Sequence, residues 1–325
     1  MFKQVYKIKN YGIIPGKGIG LMDIAKKILI ENGLYEEISP LKGEYVPYES
    51  NNLEVFLKEY HLNRGKKNRL PKNVERNKYG YINLDNEPHI KANYTEVGHC
   101  DKYWFILKNG SRIMIKKEDY DLIQNEVLFK YLCKDLDIPC AFADIATYKN
   151  DTYFLTTSFL RLNEELVDYY NLMENKYISD IDIKKLLEKA SELKQDSFIK
   201  KMLTVDILTG NIDRFPKNFR VIKNGGKYRI APLFDNSCLF EEGKYSVVLP
   251  SINESCNYDD VLAYLMQDPM HRQWCYDKII HKNFPNFSNQ IYIDKSIYID
   301  DNFQDRFNEQ LENGKQLVLE AYKNS

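Results

Sequence analysis

The chain has 325 residues, 43% of them hydrophobic, with 46 Lys plus Arg against 47 Asp plus Glu. That length and apolar content suffice for two or three globular lobes, and near-neutrality excludes a whole-molecule basic field for polyanions or anionic membranes. The six cysteines (100, 133, 140, 238, 256, 275) form no C-x-x-C pair and read as reduced thiols, while no window approaches the ~20 apolar residues of a membrane span. The amino terminus lacks the apolar core of a signal peptide. The expectation is therefore a cytoplasmic protein with no membrane partner, secretion without a cleavable signal remaining compatible, and the abundance of Lys, Asn, Ile and Tyr suits an AT-rich bacterial genome.

Residues 1–91 are expected to form an amino-terminal segment whose fold the pattern does not name. Within it, a glycine cluster (Gly16, Gly18, Gly20) precedes a helix expected over 21–32. It reads either as a phosphate-binding helix start or as a plain loop and cap, and it lacks the full spacing of a nucleotide fingerprint. A second helix is expected over 53–61. The basic run Arg64, Lys66, Lys67, Arg69, Lys72, Arg76 and Lys78 reads as a solvated linker or as a local phosphate-backbone contact; the charge balance does not favour nucleic acid as the main partner.

From residue 92 the pattern sharpens. Strands are expected over 103–108 and 111–117, joined by Asn109-Gly110, a dipeptide that tolerates the positive φ of a tight hairpin. The helix expected over 120–136 carries Leu122, Ile123, Val127, Leu128, Tyr131 and Leu132 at helical spacing. Glu126 falls on its apolar side, where an acid is costly unless paired, and Lys116 at the end of the preceding strand is the natural partner. The alternative makes both ordinary solvated charges. Strands over 141–149 and 151–160, turning at Asn150-Asp151, complete a small antiparallel sheet carrying one helix. The lobe is expected to span 92–161 and a helical lobe 162–325.

In that second lobe, helices are expected over 183–193, 198–208, 259–266, 270–280 and 302–322, with Gly210 ending the second. Strands over 219–223 and 227–234 turn at Asn224-Gly225. Asp213 and Asn218 precede the first strand and Asp235 follows the second, so antiparallel pairing brings the three towards one open end. An Asp, an Asn five residues on and an Asp beyond a hairpin suit phosphoryl transfer: one carboxylate orients the acceptor hydroxyl, while the amide and the other carboxylate hold Mg²⁺. The alternative is a polar loop in which Asp213 caps a turn and Asp235 caps a helix.

The stretches LTGNIDRFPKNF (208–219) and IAPLFD (230–235) resemble the catalytic and metal-binding motifs of the HipA-like Ser/Thr kinases. One position departs: the family usually has His two residues after the catalytic Asp, and here it is Phe215. The resemblance implies an α+β, protein-kinase-like bilobal fold and transfer of the γ-phosphate of ATP to a protein hydroxyl, with Mg²⁺. It implies Asp213 as the catalytic carboxylate, Asn218 and Asp235 as metal ligands, and Lys116, positioned by Glu126, on the α- and β-phosphates. Gly98 and Lys102 match positions of the loop over the ATP phosphates, and the backbone near Thr157 and Phe159 takes the adenine edge. Thr95 matches a loop serine that is autophosphorylated in the family, although a β-branched residue there also simply begins a strand. Family members act on an aminoacyl-tRNA synthetase in toxin–antitoxin systems, with an antitoxin partner, or on a host protein. The alternatives are a catalytically weak nucleotide-binding regulator, suggested by Phe215 and the glycine-poor loop, and a toxin–antitoxin component with local nucleic-acid contact through 64–78.

Overall fold

A computed structural model of the protein describes strands at 5–8 and 12–15, and residues 70–87, 89–92, 101–107, 111–160, 164–169, 181–211, 214, 220–240, 247–248, 257–281, 284 and 297–325. The expected helices over 21–32 and 53–61, the glycine cluster, the Asn109-Gly110 turn, and Thr95, Gly98, Asp213 and Asn218 lie outside the described residues. Contacts divide the chain into two compact units, 1–118 with 142–162 and 119–141 with 163–325.

In the first unit, β1 (Val5–Ile8) and β2 (Gly12–Pro15) form an antiparallel ribbon. A six-stranded sheet is built from β3 (Ile82–Asn83), β4 (His89–Ala92), β5 (Lys102–Leu107), β6 (Arg112–Lys116), β7 (Asp144–Tyr148) and β8 (Asp151–Thr157), in the order β3-β7-β8-β6-β5-β4. Only the short β3–β7 pairing is parallel. Strand alternation sends Phe105, Leu107, Ile113, Ile115, Tyr153 and Leu155 to one face, where they form a closed core with Ile82, Leu84 and Ala146. The hairpin β7–β8 pairs Tyr148 with Asp151, so its two-residue turn is Lys149-Asn150, one residue earlier than expected. Both have positive φ (52° and 66°), as the tight turn that matches strand twist requires.

The second unit contains α1 (Tyr120–Asp135), β9 (Glu165–Asp168), β10 (Ile181–Asp182), α2 (Ile183–Glu192), α3 (Asp196–Thr209), β11 (Arg220–Asn224), β12 (Lys227–Ile230), β13 (Val247–Val248), α4 (Tyr258–Leu265), α5 (Pro269–Cys275) running on into a π-helical turn (Tyr276–Ile280), and α6 (Asp301–Lys323). The sheet β12-β11-β9 is antiparallel, and β10 pairs with β13 in parallel. The β11–β12 turn is Gly225-Gly226, because Asn224 pairs with Lys227; Gly225 takes the positive φ.

Helix ends follow from local caps. Asn257 accepts from Asp260 N (2.9 Å), Asp268 from Met270 N (2.8 Å) ahead of Pro269 in the first turn, and Asp300 from Phe303 N (3.2 Å). Gly210 closes α3 in the left-handed conformation, φ 64°. Gly314 of α6 meets the backbone of Leu208 in α3 so closely that a Cβ there lies 2.4 Å from the Leu208 carbonyl oxygen. No helix among the described residues is long and apolar enough to cross a membrane.

Candidate active site

Helix α1 has an unusual middle: Gln124, Asn125 and Glu126 are consecutive, polar and buried. Three successive helical positions span about 200° of the helix circumference, so each faces a different neighbour and each must find its own partner. Gln124 Oε1 accepts from Asp300 N (2.8 Å). Asn125 Nδ2 donates to the Ser237 carbonyl. Glu126 Oε1 accepts from Asn236 N at 2.8 Å, with Asn236 Nδ2 at 3.4 Å from Oε2. Two adjacent side chains of α1 therefore grip the two residues that follow Asp235.

A second network starts on α3. Asp206, fully buried, takes two hydrogen bonds from Arg214, Nε to Oδ2 at 2.9 Å and Nη2 to Oδ1 at 2.7 Å. Asn211 Nδ2 donates to Oδ1 at 2.9 Å. Arg214 itself is 1% exposed, so only this bidentate, charge-assisted geometry makes its burial tolerable. It continues from Nη2 to Asn236 Oδ1 (2.6 Å) and from Nη1 to the Phe234 carbonyl (3.3 Å). The residue immediately after Asp213 is thus bonded to both neighbours of Asp235. Arg214 thereby ties its own segment to that of Asp235.

Other bonds fix the Asp235 segment on either side. Leu233 bridges in parallel to Cys140, with Leu233 N on the Pro139 carbonyl (3.0 Å) and Ala141 N on the Leu233 carbonyl (2.7 Å). Phe240 N donates to the Thr209 carbonyl at the end of α3 (3.1 Å). Asp235, half-buried, has φ 56°, a left-handed conformation that Asp tolerates better than most residues. No helix follows it: 236–239 are irregular, so Asp235 is not a helix cap.

In the first unit, the β5–β6 register sets Lys102 directly opposite Lys116, on the face away from the Phe105–Ile113 core. Like charges so placed repel. Lys116 is buried and ion-paired with Glu118, whose side chain is also buried. Thr157, buried, ends β8 opposite Ile113, and half-buried Phe159 follows in a segment held by Ser158 N on the Arg112 carbonyl (2.8 Å) and Arg112 Nη2 on the Leu160 carbonyl (2.6 Å). Of the basic run, Arg76 is committed to Asp144, with Nη2 to Oδ2 at 2.9 Å. The described cysteines 133, 140, 238 and 275 are free thiols, and burial pushes the Cys133 thiol well up.

Sequence reasoning expects Glu126 to pair with Lys116; the structure bonds Glu126 to Asn236, beside Asp235, and pairs Lys116 with Glu118, and the sequence reading missed Asp206, Arg214, Asn236, Asn125 and Glu118. Asp206 had a signal of the same kind as Glu126: an acid between Val205 and Ile207 in a helix buried through that stretch demands a partner. Nothing local marks Asn236, because its partners lie 22 and 110 residues away.

No curated protein matches the sequence. The fold is similar to that of the Helicobacter pylori proinflammatory kinase CtkA, at TM-score 0.60 and 17% identity over 75% of this chain and 99% of that one. It is also matched to HipA of Shewanella oneidensis MR-1, solved with HipB and operator DNA, at TM-score 0.49 and 13% identity over 93% of this chain and 83% of that one. The likeness to CtkA shows an α+β, kinase-like fold. A family model described as the HipA-like C-terminal domain matches residues 89–273, more than half of the sequence, and the chain belongs to that family.

Proposed function

We propose that the chain is an ATP- and Mg²⁺-dependent Ser/Thr protein kinase. The observation that carries this reading is the buried Asp206–Arg214–Asn236–Glu126 network, which ties the residue after Asp213 to both neighbours of Asp235. A polar loop without chemistry has no need of three buried charges to hold it.

The residues suit both ligands. A carboxylate at Asp235 and an amide at Asn218 are the hard oxygen donors Mg²⁺ prefers; among the described residues, no group of three His, Cys, Asp or Glu could hold a metal. The facing Lys102 and Lys116 form a cationic pair whose repulsion an anionic polyphosphate relieves. The metal, when bound, neutralises charge on the phosphate oxygens. Lys116 does the same at the α- and β-phosphates, with Glu126 assigned to its placement, and Gly98 and Lys102 belong to the cover of the phosphates. Backbone groups near Thr157 and Phe159 hold the adenine edge. Asp213 orients the acceptor hydroxyl and takes its proton as the bond from that oxygen to γ-phosphorus forms and the β–γ bridge breaks, releasing ADP. A protein substrate, an aminoacyl-tRNA synthetase or a host protein, and an antitoxin partner belong to the same reading by family.

Calorimetric titration with ATP and Mg²⁺ tests the division of roles. Asp213→Asn is expected to bind nucleotide within a few-fold of wild type and Lys116→Met to bind it at least tenfold more weakly. Equal affinity of all three proteins contradicts the assignment of Lys116. Thr95 is assigned as an autophosphorylation site, since close to two added negative charges beside the nucleotide phosphates disfavour ATP. Phosphosite mapping after incubation with Mg²⁺ and ATP should find phosphate at Thr95, and phosphate only elsewhere removes this switch.

A further inference from the structure

Asn236 has a place in the site that no catalytic assignment gives it. Its backbone N–H and its Nδ2 both face Glu126, at 2.8 Å from Oε1 and 3.4 Å from Oε2, and its Oδ1 accepts from Arg214 Nη2 at 2.6 Å. The amide is thus oriented by its surroundings, acceptor end on a guanidinium and donor end on a carboxylate; the flipped amide sets N–H against N–H. All three residues are at least 97% buried, so no water competes for these bonds. An aspartate here repels Glu126, and an alanine leaves two buried charges each short of a partner.

The residue so held immediately follows Asp235, which adopts φ 56°. Such a conformation in a non-glycine residue persists only where its surroundings over-determine it, and it clusters at functional sites. Here the surroundings are Arg214 on the Phe234 carbonyl, Glu126 on Asn236 N, and Asn125 on the Ser237 carbonyl.

We infer that Asn236 is a positioning residue for the metal: with Glu126 and Arg214 it fixes the left-handed turn at Asp235 and so the direction in which that carboxylate meets Mg²⁺. The inference rests on the kinase reading above. It gives Glu126 a second task, as the anchor of the metal-binding segment in its own unit, while Lys116 has Glu118 as a partner in the other. Residues one step behind a metal ligand commonly change metal affinity or activity by about 10- to 100-fold when replaced.

The test is ATP binding by the full-length chain, measured calorimetrically across a Mg²⁺ series and in EDTA. Asn236→Ala and the near-isosteric Asn236→Asp are expected to need at least tenfold more Mg²⁺ for half-maximal enhancement of ATP binding, with metal-free affinity within twofold of wild type. Glu126→Gln, which keeps the Asn236 N–H bond and loses the charge, should shift the Mg²⁺ requirement in the same direction and by less. Should Asn236→Ala not fold, Asn236→Asp carries the comparison. An unchanged Mg²⁺ requirement overturns the inference and leaves the kinase reading standing. So does a loss of metal-free ATP affinity as large as the loss with metal, for then Asn236 merely supports the fold. Wild-type protein that binds ATP neither with Mg²⁺ nor without it overturns the kinase reading and the inference together.

Discussion

The Asp206–Arg214 pair shows how a single charge organises the site. With Arg214 1% exposed and Asp206 fully buried, removal of one partner strands the other charge in the core. Asp206→Ala is therefore expected to destabilise the second unit by about 3–5 kcal/mol, read as a lowered urea midpoint; a loss under 1 kcal/mol shows that the pair is solvated in solution. His271, on α5, is a different kind of buried group. Its Nε2 lies 2.9 Å from Thr204 Oγ1 and 3.5 Å from the Cys275 thiol, with Asp268, Lys200 and Lys201 as the charged groups nearby. Burial first, then the two lysines, holds its pKa down to about 4 against Asp268 acting the other way. The folded state therefore binds this proton less readily than the unfolded chain. Stability is complete above pH ~6.5 and is lost as pH falls towards 4, by up to about 3 kcal/mol. His271→Gln should flatten the thermal midpoint between pH 6.5 and 4.5, and an identical slope in both proteins contradicts this origin.

At the scale of elements, helix placement is legible from the apolar period: 302–322 is expected and Asp301–Lys323 is observed, 183–193 against Ile183–Glu192. The hairpin turns were one residue off, since the expected Asn150-Asp151 gave way to Lys149-Asn150 and Asn224-Gly225 to Gly225-Gly226. Asn is a good guide to positive φ, but cross-strand register decides which two residues turn. Periodicity also predicted that α1 buries a face without saying against what, and its polar residues 124–126 bond to 300, 237 and 236, distances in sequence that no local signal encodes. The packing of α6 on α3 depends on the absence of a side chain at Gly314, where a Cβ sits 2.4 Å from a backbone oxygen that cannot rotate away. Gly314→Ala raises helix propensity in isolation, yet should destabilise the protein by about 1–3 kcal/mol through overpacking. A raised thermal midpoint in that variant shows that the two helices separate at no cost.

At the scale of the whole molecule, a net charge of −1 supplies no long-range steering, so recognition depends on local chemistry. Lys102 and Lys116 lie in the first unit, while the network around Asp235 lies in the second. The motif stretches alone made the family legible; the buried bonds that Asn236 makes beside Asp235 were not, because they join residues 22 and 110 positions apart in the chain. The central claim is that this arrangement transfers phosphate. Incubation of the purified chain with Mg²⁺ and γ-radiolabelled ATP, beside Asp213→Asn and a generic protein acceptor, tests it most directly. The account predicts label on protein in the wild type, dependent on Mg²⁺, and a loss of about 10²-fold or more in Asp213→Asn. Wild-type protein that binds ATP and Mg²⁺ but labels neither itself nor the acceptor, or an Asp213→Asn variant as active as wild type, contradicts it.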